Sequence, residues 1–264
     1  MQSSPINILG VNFFNGNAQG VIDIIKKGAL LVVPAAPALS NIKKDIFYYE
    51  ALLTADVAIP DSGYMSLIWN LFHKKKINRM SGFEFLKAFL NDEEVRGTSK
   101  ILLVNPSADE ANANLSYLRK IGFNIKNVNS YIAPRYANTI VEDEALLNLI
   151  EEKRPDHVII NIGGGIQEKL GAYLKKNLSY LPGIICTGAA IAFLTGRQVK
   201  IPVWADKLYL GWFCRCTENP KLYIPRYFRA FKLAIFIFRY GKYQPFGLNV
   251  QPIEVKELHE PLGV

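Results

Sequence analysis

The chain has 264 residues, 50% of them hydrophobic and 20% charged, with a net charge of +8. This length and apolar content support one large or two small packed domains and exclude a disordered or low-complexity polypeptide. A core of that size needs neither disulfides nor a structural metal. Cys186, Cys214 and Cys216 have neither CxxC nor zinc-knuckle spacing, and the three histidines are scattered, so reduced thiols and no metal site or other cofactor are expected.

The opening Met1-Gln2-Ser3-Ser4-Pro5 lacks a basic segment followed by an apolar one. No apolar run reaches the roughly 20 residues of a spanning helix. The expectation is a protein on the cytoplasmic side.

In chain order, Ile6 to Phe13 reads as a strand with its turn, and Asn17 to Lys27 as a helix with Val21, Ile22, Ile24 and Ile25 at helical spacing. Ala29 to Val33 is a short apolar run stopped by Pro34, the pattern of a buried strand. A helix is expected from about Ser40 to Thr54, a strand over Val57-Ala58-Ile59, and a helix from Tyr64 to Phe72. Strands then fall at Lys100–Val104, Ile125–Tyr131, His157–Ile162 and Gly183–Thr187, alternating with helices at Ala108–Ile121, Glu142–Lys153 and Gln167–Lys176. Such alternation predicts an α/β fold: a Rossmann-like parallel sheet with helices on both faces.

Parallel sheets bind ligands beyond the carboxyl ends of their strands. Three loops there stand out: Pro34-Ala35-Ala36-Pro37, Pro60-Asp61-Ser62-Gly63 and Gly163-Gly164-Gly165-Ile166-Gln167-Glu168. Asp61 has two uses at such a place, as a carboxylate facing a ligand or as a helix N-cap. Gly163, Gly164 and Gly165 let a ligand approach the backbone, and the helix that follows offers free N–H groups. Gln167 and Glu168 open that helix, to reach a sugar hydroxyl or to cap it. Arg79, in Arg79-Met80-Ser81-Gly82, suits phosphate geometry or a surface ion pair. No Asp-x-Asp motif follows a strand, which argues against a metal-bridged nucleotide-sugar site.

Taken together and in this order, these segments resemble the WecG/TagA/CpsF family of bacterial glycosyltransferases, from about Ile8 to Tyr227. Ala55 to Gly63 is similar to the family's strand ending in Asp-Gly. Arg79-Met80-Ser81-Gly82 resembles its Arg-x-(Ser/Thr)-Gly segment, and Gly163 to Glu168 its Gly-x-Pro-x-Gln-Glu turn. Gly188 to Gly196, Pro202-Val203-Trp204, and Gly211-Trp212 through Arg226-Tyr227 resemble its C-terminal signature. The resemblance implies inverting, metal-independent transfer of a hexose or N-acetylhexosamine. The donor would be a UDP-sugar, and the acceptor a polyprenyl-diphosphate-linked sugar in exopolysaccharide, capsule or teichoic acid assembly.

On the same resemblance Asp61 is the catalytic base. Gln167 holds the sugar, and Arg79, Gly82, Gly163, Gly164 and Glu168 belong to the donor and acceptor site. Arg215, Arg226 and Arg229 are candidates to neutralise the leaving diphosphate. The chain departs from the family in three places: Pro34-Ala35-Ala36-Pro37 stands where a Thr-x-Asn pair is usual, the turn at Gly165-Ile166 lacks the family's proline, and Ile191-Ala192-Phe193 lacks an acidic residue often seen there.

Eight basic residues lie between Lys207 and Lys242 against a single acid, Glu218, so nearly all the net charge sits in one late segment, interleaved with aromatic rings. Within it, Arg226 to Tyr240 reads as an amphipathic helix. Tyr227, Ala230, Phe231, Ala234, Ile237 and Phe238 fall on one side, with Arg229, Lys232 and Arg239 opposite. It suits either the interface of an anionic membrane or packing on the core with the basic side chains reaching out. The division expected is a Rossmann-like core over residues 1–205 and a basic, membrane-associating helical appendage over residues 206–264, peripheral on the inner face of the cell membrane. Self-association is left open. Competing readings are a non-catalytic sugar-nucleotide-binding subunit of an assembly complex and a nucleic-acid-binding protein. No nucleic-acid signature supports the latter, and no nucleic-acid partner is expected.

Overall fold

A computed structural model describes residues 3–197 and 230–246, together with the isolated positions 216, 217, 220, 221, 225 and 228. The strands are β1 (Ser3–Ile8), β2 (Val11–Asn15), β3 (Ala29–Val32), β4 (Val57–Ala58), β5 (Ile101–Asn105), β6 (Val128–Ile132), β7 (His157–Ile160) and β8 (Gly183–Cys186). They make a single sheet in the order β1-β2-β4-β3-β8-β7-β5-β6. Every pairing from β2 to β6 is parallel, as expected, and β1 adds an antiparallel edge.

That edge resolves the strand-with-turn expected at Ile6–Phe13 into a hairpin. Leu9 and Gly10 both have positive φ, 54° and 85°, the geometry of a two-residue turn. A leucine resists that conformation. It is held there because its carbonyl accepts the Tyr49 hydroxyl at 2.8 Å and its amide donates to the Gly241 carbonyl at 2.8 Å.

Alternate strand residues face opposite sides of the sheet. Leu30, Val32, Leu102, Val104, Val158, Ile160 and Ile184 enter one core. Leu31, Val33, Ile101, Leu103, Ile159 and Ile185 enter the other. Helices α2 (Ala36–Leu39), α3 (Ile46–Thr54), α4 (Gly63–Phe72), α8 (Glu144–Lys153), α9 (Ile166–Asn177) and α11 (Lys232–Tyr240) cover the first face. Helices α1 (Ala18–Ile25), α5 (Gly82–Asn91), α6 (Glu93–Gly97), α7 (Ala108–Lys120) and α10 (Ala190–Leu194) cover the second.

Several helices differ from the sequence reading, which assigns none at α2, α6 or α10. α3 begins at Ile46 instead of about Ser40, because Asp45 caps it by accepting the Tyr48 amide at 3.0 Å. Helix α5 lies in a stretch to which the sequence reading assigns none. Ser81 and Glu84 cap it reciprocally, at 3.0 and 3.1 Å, and its Phe85, Leu86, Phe89 and Leu90 are buried.

The C-terminal helix divides its apolar side chains differently from the helical wheel. Ala230, Leu233 and Ile237 are buried in the core where the helix packs on α4 and α2, while Phe231 and Phe238, expected beside Ala230 and Ile237, face solvent. Spacing i, i+3, i+7 from Ala230 makes the narrow buried stripe, and the aromatic pair flanks it. Among the described residues, no helix is long and apolar enough to cross a membrane.

Candidate active site

The parallel register places the loops after β2, β4, β3, β8, β7 and β5 along one rim of the sheet, in that order. Asp61 follows β4, Pro34 follows β3, Thr187 follows β8 and the glycine turn follows β7. At about 4.8 Å per strand, β4 and β8 lie roughly 10 Å apart and β4 and β7 roughly 14 Å apart. That is room for a sugar ring and a diphosphate between Asp61 and the glycine turn.

Asp61 does not cap α4, the helix that follows it. The cap of α4 is the next residue, Ser62, whose hydroxyl accepts the Met65 amide at 3.1 Å. The half-buried Asp61 carboxylate instead accepts the Gly82 amide through Oδ1 at 2.9 Å, and its backbone carbonyl accepts Arg79 Nε–H at 3.0 Å. Met80 adds a backbone bond to Pro60. Asp61, Arg79 and Gly82 are therefore one unit, assembled from the end of β4 and the start of α5. Gly82 has to be small there, since a Cβ would lie 3.0 Å from Val33 Cγ1 at the end of β3.

Asn15, which sequence reasoning passes over, anchors the approach to that unit. Buried at the end of β2, its side chain donates to the Lys76 carbonyl at 3.1 Å and accepts the Asn78 amide at 3.0 Å.

The second group gathers over β7 and β8. Gly163 and Gly164 are exposed, and a Cβ at either would meet nothing within 4 Å. Gly165 has φ +94°, a conformation glycine adopts cheaply. The Glu168 carboxylate, 1% exposed, accepts the Gly165 amide at 2.6 Å and Gln167 Nε2–H at 3.1 Å. Of the two uses open to Glu168, the structure shows capping, combined with orientation of Gln167. Burial pushes the Glu168 carboxyl up to about 7. The Gln167 amide lies over the end of β8, where a Cβ on Gly188 would be 3.4 Å from its Nε2. Among the described residues, its buried Oε1 has no partner, nor does the Thr187 hydroxyl on the neighbouring strand end.

A buried amide cluster completes the rim between β5 and β7. Asn105 Oδ1 accepts Asn114 Nδ2–H at 2.7 Å and Asn161 Nδ2–H at 3.2 Å, and Asn105 Nδ2 donates to the Ser130 hydroxyl at 3.0 Å. The available signal was an asparagine at the end of an otherwise apolar strand, at Asn105 and again at Asn161.

Between the two groups, Pro34-Ala35-Ala36-Pro37 forms an apolar floor. Pro34 and Ala36 are buried, and the segment turns into α2 without a side-chain cap. Arg215, Arg226 and Arg229, the candidates for diphosphate neutralisation, lie outside the described residues. Among the described residues, no cluster of three histidine, cysteine or acidic side chains could hold a metal ion.

Comparison with known proteins bears on this rim. The profile described as "Glycosyl transferase WecG/TagA/CpsF family" matches residues 6–246. The chain is also 24% identical over 242 residues to the N-acetylglucosaminyldiphosphoundecaprenol N-acetyl-beta-D-mannosaminyltransferase of Bacillus subtilis (strain 168). That alignment covers 86% of this chain and 90% of the relative.

Proposed function

We propose, from the premise that this chain belongs to the WecG/TagA/CpsF family of glycosyltransferases, that it moves a hexose or N-acetylhexosamine from a UDP-sugar to a polyprenyl-diphosphate-linked sugar. The acceptor class is supported by the relative, whose name specifies an N-acetylglucosaminyl-diphosphoundecaprenol acceptor and an N-acetylmannosaminyl group transferred. The product serves assembly of an exopolysaccharide, capsule or teichoic acid.

The observation that carries the mechanism is the state of Asp61. Ser62 takes over the capping of α4, so the Asp61 carboxylate stays at the strand end, tethered through Oδ1 alone among its described bonds. In the proposed reaction the acceptor hydroxyl oxygen bonds to the anomeric carbon as the bond from that carbon to the diphosphate oxygen breaks. Asp61 takes the hydroxyl proton, and UDP leaves on the opposite face, which inverts the anomeric centre. Arg79, between α4 and α5, is bonded to the Asp61 carbonyl, and guanidinium groups oppose the charge growing on the diphosphate. Arg215, Arg226 and Arg229 are proposed to add to it. No metal ion is needed in this scheme. Gln167, oriented by Glu168, presents its Oε1 to a sugar hydroxyl or amide hydrogen.

The late basic segment is proposed to hold the enzyme peripherally on the inner face of the cell membrane, where such an acceptor resides.

The test is UDP release from a panel of UDP-sugars with a short-chain, water-soluble N-acetylglucosaminyl-diphospholipid acceptor. Acceptor-dependent release that disappears in Asp61→Asn supports the reading. Absence of release with every donor overturns it.

A further inference from the structure

Helices α4 and α11 lie side by side and run in the same direction. Tyr64 meets Phe231 at one end, with ring centroids 5.7 Å apart, and Phe72 meets Phe238 at the other, at 5.5 Å. Each helix buries one stripe in the core and leaves another to solvent. On α4, Leu67, Leu71 and Phe72 are 58%, 71% and 51% exposed. On α11 and the residue before it, Phe231, Ile235 and Phe238 are 62%, 63% and 74% exposed. The ring contacts join these six side chains into one face. On the order of 700 Å² of apolar surface is left open, above the roughly 300–600 Å² of the largest patch on a typical monomer.

The two segments that carry this face hold charges of one sign. Residues 63–78 contain Lys74, Lys75 and Lys76, and residues 230–246 contain Lys232, Arg239 and Lys242; neither segment has an aspartate or glutamate. A second copy of the chain docking on this face through a twofold axis would bring cations against cations. An anionic lipid surface matches both the apolar side chains and the charge.

We propose that α4 and α11 together form a bilayer-docking face, so that a helix of the catalytic core, and not the C-terminal segment alone, enters the lipid interface. This deepens the proposed function, on which it rests for the lipid-linked acceptor. Its geometry links docking to chemistry. α4 starts at Ser62, beside Asp61, and runs about 15 Å along the face. With α4 lying in the interface, the charged diphosphate of an acceptor emerges at headgroup level next to the N-terminal end of α4 and the proposed base.

The experiment is co-sedimentation of the full chain with phosphatidylglycerol-containing vesicles and with pure phosphatidylcholine vesicles. It compares wild type, Leu67→Ser/Leu71→Ser on α4 and Ile235→Ser/Phe238→Ser on α11. Alongside, UDP release is measured with the water-soluble acceptor and with a long-chain acceptor embedded in vesicles. Both double variants are expected to lose vesicle partitioning by about tenfold or more. They should keep wild-type activity on the soluble acceptor and unfold at the wild-type temperature. Partitioning of the α4 variant equal to wild type, with loss in the α11 variant, overturns the composite face and leaves the C-terminal anchor. Absence of wild-type binding to anionic vesicles overturns the proposal, as does a wild-type dimer that the same substitutions dissociate. Loss of turnover with every soluble acceptor and donor would strike the proposed function instead, while the vesicle result still decides the docking face.

Discussion

The Gly82 amide points its hydrogen at Asp61 Oδ1 from 2.9 Å, so the first residue of α5 fixes the carboxylate at the end of β4. A neutral amide side chain keeps an oxygen able to accept that hydrogen. Asp61→Asn should therefore leave the loop docked and change stability by well under 1 kcal/mol. Its effect falls on proton transfer, where a general base contributes about 10²–10⁴ in rate. The expected outcome is a fall in kcat of at least about 100-fold with KM for the donor little changed. A steady-state series alongside thermal unfolding measures both. A large loss of Tm with near-normal kcat in the folded fraction would assign Asp61 to structure.

The glycine turn separates folding from ligand approach. A Cβ at Gly163 or Gly164 would meet nothing within 4 Å, and neither has positive φ, so Gly163→Ala and Gly164→Ala should leave Tm unchanged or slightly raised. If this backbone contacts the donor, both substitutions raise its KM. Gly165→Ala differs, because φ +94° is retained only with strain of about 1–2 kcal/mol. That variant should lose several degrees of Tm. Equal behaviour of all three in thermal melts would contradict the assignment.

Two buried titratable groups oppose each other in acid. Burial holds Glu168 at about 7 against its ordinary 4.5, so its contribution to stability is full below about 4.5 and declines as pH rises towards 7. Burial holds His157, packed edge-on to Phe89, at about 4 against its ordinary 6.5. Its contribution is full above about 6.5 and declines as pH falls towards 4. Each effect is on the order of 3 kcal/mol over its full range. Between about pH 4.5 and 6.5 the two slopes nearly cancel in the wild type. Glu168→Gln should reveal stability that rises with pH, and His157→Gln stability that falls with pH. Urea unfolding at half-unit intervals of pH reads the slopes directly.

The docking of α11 on the core has its own signature. Leu233 is fully buried where α11 packs on α4 and α2, so Leu233→Ala should cost about 2–4 kcal/mol. Phe238→Ala, on the exposed side of the same helix, should stay within about 0.5 kcal/mol. Comparable losses from the two would mean that the solvent face is covered.

The strands of this fold were legible because runs such as Ala29–Val33 and Val158–Ile160 are apolar without interruption and end at Pro or Asn. Period alone cannot show which polar residue serves a helix end, so Asp61 reads equally as cap or free carboxylate, and the bonds of Ser62 to Met65 and of Asp61 to Gly82 decide it. Helix α5 was legible in principle, since Ser81-Gly82-Phe83-Glu84 is a capping box before the buried positions Phe85, Leu86, Phe89 and Leu90. Reading Arg79 to Gly82 as a ligand loop passes over that capping box. The partnership of Asn105, Asn114 and Asn161 was beyond any local pattern. It joins β5, α7 and the end of β7, whose meeting is a property of strand order. On α11, helical spacing identified the apolar residues but could not say that Leu233 and Ile237 turn inward while Phe231 and Phe238 turn out. That choice depends on the shape of α4.

The floor made by Pro34-Ala35-Ala36-Pro37 has a consequence for which sugars this enzyme can use. Its side chains carry no donor or acceptor, so a sugar hydroxyl laid against them and out of reach of the backbone amides at the start of α2 loses its water and gains nothing in return, at about 1–3 kcal/mol. A methyl group at the same point loses nothing and fills space. If the donor sugar rests there, a deoxy position or the methyl of an acyl group should be favoured over a hydroxyl by roughly tenfold or more, which a comparison of donors by kcat/KM measures.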